Sequence, residues 1–468
     1  MNKLLPLGLG LAVALAGWGP GPAVAQSKDR SDKKEQPFLT GLGALKHADP
    51  GVRFQAALLL SRLGPEGKVA IPALTEALKD QNSRVRMMVA FALWKLDRDQ
   101  TTKVVPVLRE GLKDKDPSAR QSAAYSLGEI GSRARAAVPD LGKALKDEDL
   151  GVRMNAVQAL GEIGPSARPA VPALIELLTD PDAALMEAMV AITLGKIGRP
   201  ALPALTRALG HKDDRVRRGA AFALGWMGSR AKEAAPALAK ALQDPETGVR
   251  ALAAEALGKI GPDAKDAVAE LAKLLKDRAA LVRVSAALAV WQLDRQNGAL
   301  PVIVEALKDK QADVREAAVR AVIEVGAPAR EAVPELTATL KDPEEGIRAL
   351  AAEALGKIGA DAKKALPELG ALLKDPDPAV RISAALAVWR IDRQTRTALA
   401  VLGESLKDKE EDVRKKAVAA LGEMGPDAKE ALGALAEAYK NGSHEIRKAI
   451  ALALPKIDAK AAAKVGVR

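Results

Sequence analysis

The chain has 468 residues, 48% of them hydrophobic, and a formal net charge of +11. That length exceeds one ordinary globular core, so the chain is either several domains or an extended repeat array, and five Trp, two Tyr and four Phe are too few for most compact mixed folds. The absence of Cys excludes disulfides, Cys-ligated metals, thiol nucleophiles and lipid attachment at a cleavage-site Cys.

Met1-Asn2-Lys3 is a short positive start, Leu4 to Gly17 is apolar, and Ala23-Val24-Ala25 has the A-x-A form that precedes a cleavage point. These features predict a secretory signal peptide over residues 1–25 and an exported mature chain, periplasmic or extracellular, with a net charge of +10. No later stretch supplies about 18 uninterrupted apolar residues, so no membrane span is expected. Residues 26–35, QSKDRSDKKE, lack an apolar pattern and read as a flexible linker.

From residue 36 onward an apolar residue followed by Arg recurs every 32 to 34 residues, at Arg53, Arg86, Arg120, Arg153, Arg217, Arg250, Arg283, Arg315, Arg348, Arg381, Arg414 and Arg447. The one gap of 64 holds a degenerate copy with Met186-Glu187 in place of the pair, which makes 13 repeats. Six residues before the Arg stands Asp80, Asp114, Asp147, Asp244, Asp277, Asp309, Asp342, Asp375 or Asp408; the other copies carry His47, Pro181, His211 and Asn441. Each repeat reads as two helices, the first opened near a Pro such as Pro334. The second starts near the Arg and is stopped by Gly131, Gly164, Gly198, Gly228, Gly261, Gly326, Gly359 or Gly425.

A 33-residue helix pair with D-x(5)-R and an AL-G-x-IG ending resembles HEAT repeats, specifically the short kind also found in phycobilisome lyases. The resemblance spans residues 36–468 and implies an all-α fold, a right-handed α-α solenoid (superhelix) of about 13 HEAT-like helix pairs whose second helices line the concave side. It also implies that Asp80, Arg86, Asp244, Arg250, Asp277, Arg283, Asp342, Arg348, Asp375 and Arg381 belong to a structural ladder between repeats.

With the repeat Arg as position zero, positions −1, +3, +7 and +10 are apolar and share one side of the second helix, as in Val282, Ala286, Val290 and Leu293. Positions +4 and +6 are small, which lets neighbouring helices approach. Positions +1, +5 and +8 project opposite the core. In most copies they are small or charged, but three copies carry Met87, Phe91, Trp94; Val284, Leu288, Trp291; and Ile382, Leu386, Trp389. The same copies end in Asp97-Arg98, Asp294-Arg295 and Asp392-Arg393 instead of Gly. They are repeats 2, 8 and 11, and the degenerate repeat 5, with Ala188, Ile192 and Gly195, completes a series of every third copy. Residues 248–296 match 346–394 at an offset of 98, which points to duplication of a three-repeat unit. Two readings stand: the nine residues are apolar footholds for a partner, or each Trp folds over the atypical loop and replaces packing lost with the usual one.

Catalytic patterns are missing. His47 and His211 occupy the ladder column, His444-Glu445 is a single pair where iron-binding HEAT-like hydroxylases use several, and the acidic loop from Asp147 has Gln158 where a calcium loop needs Glu. Ser285 has no identifiable base in the sequence, and no phosphate-binding or nucleophile-elbow motif is present. The reading is therefore a non-catalytic scaffold with no cofactor and no metal, holding a protein or peptide partner on its concave face. The resemblance leaves a bilin-lyase-like enzyme as an alternative, and the charge leaves a polyanion or nucleic-acid binding solenoid, although basic residues are spread through every repeat without an aromatic-interleaved run.

Overall fold

The structure, a computed structural model, describes residues 42–180, 186–295 and 297–464; the predicted signal peptide, the linker and Pro181 lie outside them. The described residues form an all-α solenoid without strands. They divide into two compact units, one up to Ser122 and one from Ala123 onward, the division falling inside the helix Pro117–Ile130. The first unit holds second helices Pro50–Leu60 and Ser83–Leu96 with first helices Ile71–Ala77 and Thr101–Gly111. The second unit continues the alternation as far as the second helix His444–Ile457 of repeat 13.

A regular repeat runs from a seven-residue 3-10 turn such as Gly261–Ala267 into a short first helix such as Val268–Leu274, then across a tight loop into a second helix of about four turns. The stopping Gly residues have positive φ, 58° to 79°, as the sequence requires. Their ψ values, near −140° at Gly198 and −138° at Gly359, are not those of a left-handed helical cap. This region is closed to side chains with a Cβ, and it turns the chain directly into the 3-10 segment. The core falls where the periodicity places it in the regular repeats, with Val249, Ala253, Leu257 and Ile260 at most 2% exposed; in repeat 8 Val282, Ala286 and Val290 are buried, whereas Leu293 at +10 stays partly exposed.

Second helices of neighbouring repeats touch through small residues. A Cβ added at Gly225, at position +8, would lie 3.2 Å from the Cα of Ala256, at position +6 of the next repeat. Gly258 meets Ala289 and Gly356 meets Ala387 in the same way, each at 3.1 Å. Backbones this close gain dispersion contacts that larger residues would forbid.

The repeat Arg ties successive layers together. Arg250 Nη1 donates to the carbonyls of Asp244 and Pro245 at 2.8 and 3.0 Å, closing its own inter-helix loop. Its Nε and Nη2 donate to both carboxylate oxygens of Asp277 in the next repeat, at 2.8 and 3.0 Å. Asp277 also accepts the amide of Ala279 at 2.8 Å. The same fork joins Arg53 to Asp80, Arg217 to Asp244, Arg315 to Asp342 and Arg348 to Asp375. The D-x(5)-R spacing is thus not itself an ion pair. The Arg takes the carbonyl of its own Asp, while that carboxylate belongs to the Arg 27 residues earlier.

The exceptions follow the same logic. His47 and His211 stand in the Asp column where no Arg precedes them, in the first repeat and after Glu187. Their Nδ1 atoms accept the amides of Asp49 and Asp213 at 3.0 and 3.1 Å, so the imidazole keeps the turn and gives up the ion pair. Glu187 reverses the charge order and accepts a two-pronged bond from Arg218, both contacts at 3.0 Å.

Burial pushes the Asp277 carboxyl upward, but the hydrogen bonds from Arg250 and the Ala279 amide, with the Arg250 charge, outweigh it and hold the group below the usual carboxylate range. Asp80, Asp342 and Asp375 are lowered by the same balance. A carboxylate with a lowered native pKa adds stability above its unfolded value of about 3.9 and loses it as the pH falls through the native value.

Two sets of measurements check this account. Melting temperature should decline as pH drops below about 4, and Asp277→Asn should cost about 2 kcal/mol at neutral pH while flattening that acid limb. In denaturation, Gly225→Ala should destabilise by about 1–2 kcal/mol through helix separation. Gly403→Ala should stabilise by up to about 1 kcal/mol, because Gly403 lies inside the helix Thr395–Ser405 with nothing within 4 Å of its added Cβ.

Candidate functional site

Of the nine residues in the three apolar stripes, the structure encloses six: Met87, Trp94, Val284, Trp291, Ile382 and Trp389 are at most 7% exposed. Phe91, Leu288 and Leu386 remain partly exposed. The difference from the sequence reading is one of angle. Taking the Arg as zero, positions +1 and +8 lie at about 100° and 80° and are covered by the neighbouring repeat, whereas +5 and +9 lie at about 140° and 180° and face outward.

Each Trp sits where its repeat departs from the regular connection. Trp389 packs in one cluster with Ala398 and Leu402 of the following first helix, and its Nε1–H donates to Asp427 Oδ2 at 2.9 Å. The Arg393 guanidinium lies 4.7 Å from the Trp389 ring centroid, Arg295 4.4 Å from that of Trp291 and Arg98 3.4 Å from that of Trp94. Cation–π attraction accounts for the Asp-Arg that replaces the terminal Gly. Arg295 and Arg393 hold φ of 56° and 55°, so each pays a left-handed backbone conformation for that position. Trp94 Nε1 is buried and has no acceptor among the described residues.

The ladder residues of these repeats are also distinct. Arg86 reaches Asp114 through one contact of 3.6 Å. Arg283 and Arg381 keep the carbonyl bonds to Asp277 and Asp375, at 2.9 and 2.8 Å, but among the described residues neither is bonded to Asp309 or Asp408.

The surface left open is the +5 column. In the second unit it runs Tyr125, Gln158, Ile192, Phe222, Glu255, Leu288, Arg320, Glu353 and Leu386, all partly exposed, and reaches Leu452 at 67% exposure. In the first unit the same position holds Leu58 and Phe91. Repeat 6 adds Trp226 at +9, 40% exposed and on the same helix face as Phe222. Its ring lies across Gly195 of repeat 5, where a Cβ would come within 2.6 Å of it, and Arg230 stands 5.6 Å from its centroid. Sequence reasoning passed over Trp226 because it lies one position beyond the Trp column. The signal was the i, i+4 pair in Phe222-Ala223-Leu224-Gly225-Trp226.

Polar side chains are interspersed with the apolar ones along this column. Burial raises the Glu255 carboxyl above the usual range, against the Lys259 charge and the hydrogen bond from Ser285, whose hydroxyl donates at 3.3 Å. Ser285 therefore has a carboxylate neighbour one repeat earlier, invisible in the linear sequence, but His47, His211 and His444 belong to repeats 1, 6 and 13 and none accompanies it. Among the described residues no group of three His, Asp or Glu side chains is arranged to hold a metal, and no helix is long and apolar enough to cross a membrane.

Comparisons place this architecture. A search of curated proteins gives no match. Among solved structures, the karyopherin Kap95 in its complex with Nup1 aligns with 91% of this chain and 67% of its own at 13% identity and a TM-score of 0.57. An engineered protein aligns with 76% of this chain and 98% of its own at 22% identity and a TM-score of 0.35. The CpcE–CpcF complex of phycocyanin lyase from Nostoc aligns with 57% of this chain and 94% of its own at 26% identity and a TM-score of 0.34. The Kap95 likeness supports the fold, and nine overlapping segments from residue 30 to residue 455 match the family described as HEAT repeats. With that match running through nearly the whole array, the chain belongs to the HEAT-repeat family.

Proposed function

We propose that the protein is an exported, non-catalytic scaffold of the bacterial envelope or exterior, holding a protein or peptide partner on the concave face formed by its second helices. The observation that carries this reading is the open apolar column, with Ile192, Phe222 and Trp226 at its centre and Leu288 and Leu386 farther along. Exposed aromatic side chains that sit on rigid helices lose little entropy on binding and anchor interfaces well. The interspersed Gln158, Glu255, Arg320 and Glu353 supply hydrogen-bonding groups along the same face. Export rests on the predicted signal peptide. The fold is one that Kap95 uses in its complex with Nup1, another protein partner.

The test is site-specific photo-crosslinking in the cell that makes the protein, with a benzophenone amino acid at position 222, 226, 288 or 386 and controls at exposed Lys240 and Lys308. The expected result is a discrete crosslinked protein from the open column alone, recovered with the envelope or culture fluid and lost when Trp226→Glu is combined with Leu288→Lys. Equal crosslinking from the control positions would overturn the binding face, and crosslinks confined to cytoplasm would overturn export. Trp291→Ala and Trp389→Ala should each cost about 3 kcal/mol of stability and leave the crosslinks from position 222 intact.

A further inference from the structure

We infer that the second unit is assembled from three-repeat blocks with compliant joints after repeats 8 and 11, each pivoting on the end of the second helix opposite the ladder. Within repeats 6 to 8, Arg217–Asp244 and Arg250–Asp277 are two-pronged and largely enclosed. Within repeats 9 to 11, Arg315–Asp342 and Arg348–Asp375 are the same. Between the blocks the fork is missing, at Arg283 and again at Arg381, although Asp309 and Asp408 stand in the column.

Three further features coincide with those two places. Position +8 holds Trp291 or Trp389, so the next second helix is denied the close backbone approach that Gly258 and Gly356, where an added Cβ would meet a Cα at 3.1 Å, permit inside the blocks. The second helix of repeat 11 accordingly packs more sparsely on that of repeat 12 than on that of repeat 10. The connection is also rebuilt, with Arg295 or Arg393 in a left-handed conformation replacing the stopping Gly and its seven-residue 3-10 turn.

What bridges each joint lies at the other end of the helix, at +8 and +9. Gln292 Nε2 donates to Glu324 at 2.8 Å across the first joint. Arg390 Nε donates to Glu423 at 2.7 Å and Trp389 donates to Asp427 across the second. A pair in the same columns, Lys196 to Glu162 at 2.7 Å, also crosses repeats 4 and 5. The bond between layers therefore moves from the enclosed ladder edge to an open edge, where water competes for it and salt screens it. Layers fastened at one exposed edge can open at the other, and the period of three follows the duplicated unit. In repeat 9 Ile323 stands at +8, yet Arg315 keeps its fork, so a bulky +8 residue does not by itself remove the ladder bond.

The chain has no Cys, so pairs of introduced Cys take nitroxide labels specifically, and pulsed dipolar spectroscopy on the full chain reads the distance distributions. Labels at positions 305 and 371 span two intact interfaces of one block. Labels at 338 and 404, or at 240 and 305, span the same number of repeats with one joint included. The joint-spanning distributions should be broader by about two-fold and broaden further at high salt or with Arg390→Ala for the 338/404 pair. Arg348→Gln should widen the 305/371 distribution toward the joint-spanning ones. Equal widths for all three pairs would overturn the inference, as would a 305/371 distribution indifferent to Arg348→Gln in a chain whose helix content is unchanged.

Discussion

The regular layers depend on the guanidinium of the repeat Arg. It sits in the first turn of the second helix, and its three donor nitrogens serve two layers at once: two carbonyls of its own loop and both oxygens of a carboxylate in the next repeat. A planar fork is suited to this because its donors point in fixed, diverging directions, whereas an ammonium could satisfy only one of the two demands well. In a chain with few aromatic residues and no disulfide, cohesion between layers has to come from small-residue contacts and from such repeated bonds. Neither suffices alone, since the small contacts hold only while the layers stay in register.

That dependence explains the odd positions. Where no Arg precedes, an Asp at the partly enclosed 211 position would be an unpaired charge; His211 there, and the exposed His47 in the first repeat, supply the turn-forming acceptor instead. Where Glu187 replaces the Arg, the cation reappears as Arg218 one position along the next helix. Where the second helix ends in Asp-Arg, the ladder fork is lost or reduced and a Trp ring with a stacked Arg fills the widened space. The three Trp residues thus belong to the interior economy of the solenoid in the free chain. Surface for a partner is left to the adjoining +5 and +9 positions, where Phe222 and Trp226 lie.

The register of the repeat was fully legible in the sequence, because helical periodicity and Gly stops are local properties. Core positions such as Val249 and Leu257 came directly from it. The candidate face was legible only to within about half a helical position. From one helix, +1, +5 and +8 look equivalent, since all three lie opposite the core. A neighbouring helix breaks the equivalence by covering one flank, which buries Trp94, Trp291 and Trp389 and leaves Phe91, Leu288 and Leu386 partly open. Trp226 lies one position beyond the Trp column, and its place over Gly195 of another repeat is a contact the linear period does not contain.

By itself the sequence determined the helix pair, its 33-residue period, the 13 copies and the small-residue contacts. Each follows from spacing along one chain and from the conformational limits of Gly, Pro and Ala. Only the tertiary structure decided which Asp pairs with which Arg, that the pair spans 27 residues rather than six, and that among the described residues Arg283 and Arg381 form no fork with Asp309 or Asp408. It also decided which apolar side chains stay outside. These are distances between layers, set by how closely one helix can lie on the next, and a linear period does not contain them.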